Sequence, residues 1–137
     1  MRRIWPEFRA SISPSACVLA AFMLLLLPIK WIFAALVAAA FHEGCHILAV
    51  WLCGGNIATL SIGDRGAVLQ AGSLSAGKSI ICSLAGPLGS LFLLLFLRFI
   101  PRIALCALVQ GIYNLLPIYP LDGGRVLQTL MDMKNRP

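Results

Sequence analysis

Residues 31–53 form an apolar run of 23 residues that contains one acidic side chain, Glu43, and no Lys or Arg. At ~1.5 Å of rise per residue, a helix of that length crosses the ~30 Å hydrocarbon core of a bilayer. Its few polar residues are not scattered, because they spell His42-Glu43-Gly44-Cys45-His46, an H-E-x-x-H pattern. Two histidines four apart share one helix face and can chelate one metal ion, and the glutamate between them can deprotonate water that the metal has acidified. A charged group at membrane depth costs ~2.5 to 3.5 kcal/mol or more, so the pattern is expected to serve chemistry and to face the protein interior. The expected chemistry is metal-assisted hydrolysis within a membrane.

Composition agrees with a membrane protein. Sixty per cent of the 137 residues are hydrophobic and 12% are charged, too few charges to cover a soluble domain. The length has room for one compact bundle of about four spans and no separate soluble domain. The net charge of +6 does not imply a nucleic-acid partner, because the 11 Lys and Arg flank apolar runs instead of forming a patch with interleaved aromatics. The cysteines Cys17, Cys45, Cys53, Cys82 and Cys106 lie in apolar segments without C-x-x-C spacing and read as reduced thiols.

Four apolar stretches predict an all-α polytopic membrane protein, with spans at about 16–29, 31–53, 79–100 and 103–116 and a broken continuation to 133. The first is short, and Arg2, Arg3 and Arg9 before it also fit a cleavable signal. Lys30 interrupts the run, and cleavage near Ala38-Ala39-Ala40 would leave the histidine motif at a bare chain end, so a retained anchor is expected. Between the second and third spans, Ile57, Leu60, Ile62, Val68 and Leu69 alternate imperfectly around Gly63-Asp64-Arg65-Gly66, which predicts a small membrane-associated β-hairpin. Its edge could accept a substrate by strand addition, or it could simply connect the spans.

The basic residues set an expected orientation. With the N-terminus cytoplasmic, Arg2, Arg3, Arg9, Arg65, Lys78, Arg125, Lys134 and Arg136 lie inside and Lys30, Arg98 and Arg102 outside. His46 then sits roughly 10 Å below the cytoplasmic boundary at ~1.5 Å per residue.

A catalytic zinc takes three protein ligands, and there is no third histidine. Apart from Glu43, the acidic residues are Glu7, Asp64, Asp122 and Asp132. Asp122 stands out, since Pro117 and Pro120 break the fourth apolar segment just before it and Gly123-Gly124 follow. Backbone freed by proline is tolerated at membrane depth only where it faces protein or a water-lined cavity. Two rivals remain at this level: Asp122 as a helix N-cap, and Cys45 as the third ligand.

Three ordered motifs now resemble one family. The histidine motif, Ala85-Gly86-Pro87-Leu88-Gly89, and Asn114-Leu115-Leu116-Pro117 through Pro120-Leu121-Asp122-Gly123-Gly124-Arg125 are similar to those of the site-2 proteases, the M50 metallopeptidases, and the sporulation factor IVFB branch looks closest. The resemblance implies a multi-pass zinc protease of a bacterial cell membrane that performs regulated intramembrane proteolysis on membrane-spanning or membrane-associated proteins. By position, it implies His42, His46 and Asp122 as zinc ligands, Glu43 as the catalytic base, and Asn114 as a residue that holds the substrate backbone or the oxyanion. Small residues on the third span are equally expected from helix packing, and a buried Asn114 from stitching the broken helix.

The chain departs from the family pattern at Ser90, where Asn is common, and at Cys45, where glycine is commoner. No PDZ or CBS domain is expected, so regulation is expected from a membrane partner or a homo-oligomer. The competing class is a proteolytically inactive metal-binding chaperone or a small metal transporter. Against it stand the retained Glu43 and the absence of ionisable residues from the apolar parts of the first and third spans.

Overall fold

The computed structural model describes residues 7–10, 26–55, 57–63, 66–71 and 74–135. Most of the stretch expected as a first span therefore lies outside the described residues. The elements in chain order are β1 (Glu7–Ala10), α1 (Ile29–Leu52), β2 (Ile57–Gly63), β3 (Gly66–Ala71), α2 (Ala76–Phe92) with a 3-10 extension (Leu93–Phe96), α3 (Pro101–Asn114) and α4 (Asp122–Lys134).

Helix α1 buries Ala34, Ala38, His42, His46 and Val50, one residue every four, so a single stripe faces the protein. The rest of its surface exposes Phe33, Leu36, Leu48, Trp51 and Leu52. Helix α2 presents Cys82, Gly86, Pro87 and Ser90 inward, and α3 presents Ala104, Ala107 and Gly111. Small side chains at these positions let the helices approach closely, which is how helices associate in a bilayer where apolar burial supplies little drive. A cluster of Ala38, Leu93 and Ala107 joins α1, the end of α2 and α3. Helix α2 packs against α1, α3 and α4 alike.

The distribution of polarity is inverted relative to a water-soluble domain. His42, His46, Ser90 and Asp122 are buried, while Leu95, Phe99 and Trp51 are more than two-thirds exposed. Two helices, Ile29–Leu52 and Ala76–Phe96, are long and apolar enough to cross a membrane among the described residues. Helix α3 has 14 residues, about 21 Å of rise, short for a crossing by itself.

Boundaries differ from the sequence expectation in two places. The third segment turns through the 3-10 stretch and ends before Ile100, because Pro101 opens a new helix at a position where its missing amide costs nothing. The broken continuation is a loop across 115–121 followed by α4, with a cis peptide bond before Pro120.

Residues 54–78 hold β2 and β3, paired antiparallel from Ile57↔Ala71 to Gly63↔Gly66. Strand β1 adds to them in parallel, Glu7 opposite Thr59 and Ala10 opposite Ile62. This third strand was not foreseen, since four residues are too few to show a period. At the same end of the bundle the Lys78 ammonium donates to the Cys53 carbonyl at 2.8 Å, fastening the end of α1 to the start of α2.

Candidate metal centre

The site is assembled from three helices. His42 and His46, one turn apart on the inward stripe of α1, turn their Nε2 atoms to a common point, 3.2 Å from each other. Asp122 is the first residue of α4, and its Oδ2 lies 3.2 Å from the Nε2 of His42 and 3.2 Å from that of His46. The N-cap of α4 is Leu121 and makes no side-chain cap bond, so the Asp122 carboxylate is directed at the histidines instead of capping its helix.

The far edges of the rings are held by α2. The Nδ1–H of His46 donates to the Cys82 carbonyl at 2.7 Å, and His42 Nδ1 pairs with Ser90 Oγ at 2.8 Å. His46 is therefore protonated on Nδ1, because a carbonyl can only accept. In the neutral ring that leaves an Nε2 lone pair aimed at the common point.

Three donor atoms at the corners of a 3.2 Å triangle match a zinc site closely. Tetrahedral bonds of ~2.0 to 2.1 Å separate adjacent ligand atoms by about 3.3 to 3.4 Å. His42, His46 and Asp122 form the one group of this kind among the described residues. Gly86 of α2 lies against the same point: a Cβ there would collide with His46 Nε2 and come within 2.7 Å of His42 Nε2. The space is thus kept clear of protein atoms, and two imidazoles with a carboxylate suit zinc.

The remaining sequence candidates fall elsewhere. Glu43 is half-buried beside His42, with Arg125 of α4 within electrostatic reach. Cys45 packs against α2 at Gly89, where a Cβ would strike its Sγ, and is not in the ligand group. Asp132 is exposed near the end of α4, and Asp64 lies outside the described residues. The Asn114 side-chain amide donates to the Gln110 carbonyl at 3.1 Å, a bond within α3.

The double glycine has a steric cause. Cβ atoms on Gly123 and Gly124 would overlap the backbone of Leu115 and of Ile118, so the first turn of α4 lies flat on the proline-containing loop and carries Asp122 with it. Sequence reasoning missed Ser90 and the Cys82 carbonyl as partners of the histidines. Ser90 was marked only by its departure from Asn, and a backbone carbonyl leaves no sequence signal.

A family model described as Peptidase M50B-like matches residues 15–120. The fold is similar to that of the Site-2 Protease from Methanocaldococcus jannaschii, with a TM-score of 0.73 and 21% sequence identity over 93% of this chain and 69% of that one. No curated protein matches the chain.

Proposed function

The chain belongs to the Peptidase M50B-like family, and on that premise we propose that it is a zinc endopeptidase cutting membrane-spanning or membrane-associated proteins inside the bilayer. One observation carries this reading: two imidazole nitrogens and a carboxylate oxygen converge at 3.2 Å, within a bundle whose outer surface is apolar.

His42, His46 and Asp122 would hold the ion. When bound, zinc supplies Lewis acidity, making water acidic enough to lose a proton near neutral pH and polarising the scissile carbonyl. Glu43, within electrostatic reach of His42, His46 and Asp122, would take a proton from water and later pass it to the leaving amine. Asn114 is left with the substrate-holding role only if it gives up its bond to Gln110. The reading extends, on the resemblance of the three motifs alone, to the sporulation factor IVFB branch and a role in regulated intramembrane proteolysis.

The reading includes four crossings, the first of them by 16–29, a stretch most of which lies outside the described residues.

Metal analysis of the detergent-purified protein, joined to cleavage of co-expressed membrane substrates, tests the reading. Glu43→Gln is expected to keep zinc and abolish cleavage, because the amide preserves shape but cannot take a proton. A purified protein that binds no divalent metal would overturn it. A Glu43→Gln variant that still cuts would remove Glu43 from the role of base.

A further inference from the structure

Ser90 is fully buried, among α1, α2 and α3. As one of the small residues on α2 it could be explained by packing, yet alanine would pack at least as well and would bury no hydroxyl. What alanine lacks is the oxygen 2.8 Å from His42 Nδ1.

The two histidines differ in how their outer nitrogens are held. His46 is fixed by a backbone carbonyl, which accepts whatever the side chain at residue 82 is. His42 depends on one side-chain hydroxyl, which can accept or donate. For His42 Nε2 to offer its lone pair towards Asp122 and His46, the ring proton must sit on Nδ1, and Ser90 Oγ must accept it. Helix α3 approaches Ser90 closely, since a Cβ on Gly111 would come within 3.2 Å of the Ser90 Cβ and 3.3 Å of the Pro87 carbonyl.

We propose that Ser90 is a positioning residue, its hydroxyl accepting the Nδ1–H of His42 and so orienting that ring as an Nε2 ligand. This rests on the zinc reading of the same site. Partners of this type set ligand tautomer and basicity, and their loss commonly lowers metal affinity about 10- to 100-fold.

The test measures zinc affinity, not cleavage, by chelator competition on the full-length protein in detergent. Ser90→Ala is expected to lose about 10- to 100-fold in affinity, and Ser90→Cys, with a weak sulfur acceptor of similar size, a smaller factor. Nitrogen NMR of the unsubstituted, cadmium-loaded protein supplies a readout that needs no variant. Both histidines should show a protonated Nδ1 and a metal coupling at Nε2, and the His42 Nδ1–H should exchange with solvent faster in Ser90→Cys.

Zinc affinity of Ser90→Ala within about twofold of the parent would overturn the proposal, well short of the expected loss. Coordination of His42 through Nδ1 in the parent would do the same, even if Ser90→Ala does not fold. A parent that binds no metal at all would instead remove the zinc reading beneath it.

Discussion

Replacing Gly86 by alanine is expected to dismantle the metal site although no ligand is touched. The added Cβ would stand 2.7 Å from His42 Nε2 and closer still to His46, whereas non-bonded carbon contacts settle at about 3.5 Å or more. The His42 ring must retreat by about 0.8 Å and the His46 ring by more, or α2 must shift by that larger distance, and ligand positions tolerate about 0.2 Å. Loss of stoichiometric zinc should follow, along with about 1 to 3 kcal/mol of overpacking strain.

Two neighbouring glycines serve as controls. Gly44→Ala meets no heavy atom within 4 Å and should bind zinc like the parent. Gly89→Ala strikes the Cys45 side chain, so its defect should be relieved by pairing it with Cys45→Gly, a rescue that Gly86→Ala cannot have. Zinc content after gel filtration and chelator competition read all of these. A Gly86→Ala protein with parental zinc affinity would refute the placement of both ring edges against α2.

Asp122→Ala should lose most zinc and all cleavage, since two ligands hold the ion poorly, while Cys45→Ala should leave the metal in place. The reverse pattern in metal analysis would exchange their roles. A zinc chelator should abolish cleavage and added zinc restore it; cleavage that persists after verified removal of the metal would end the metalloprotease reading. Single cysteines at Asp64, Arg98 and Arg136 in a cysteine-free background should react with an impermeant reagent from opposite faces, 64 and 136 from the cytoplasm and 98 from outside. Labelling of position 64 from outside would overturn the orientation and the side on which products leave.

The gathering of His42, His46 and Asp122 into a group that could hold a metal was legible in the sequence because chelation is demanding. Histidines four apart must share a face, and few carboxylates were available to join them. The N-cap alternative for Asp122 could not be dismissed from residues alone, because the distinction depends on the loop across 115–121 laying α4 against the histidines. Gly86 read as a packing residue, and the structure makes it one of a particular kind, packed on the imidazole edges themselves. Ser90 and the Cys82 carbonyl were out of reach, since which residues of α2 face which histidine follows from the relative height of two antiparallel helices. Strand β1 was hidden for another reason: its partner lies some fifty residues away, and nothing local in Glu7-Phe8-Arg9-Ala10 announces it.

The separation of the ligands along the chain also sets a time. His42 and Asp122 are 80 residues apart, which at a synthesis rate of about 5 to 20 residues per second is roughly 4 to 16 s of translation. Through that interval both histidines exist without their third partner. On the proposed function, a newborn copy would lack hydrolytic competence until Asp122, at the beginning of α4, has been made.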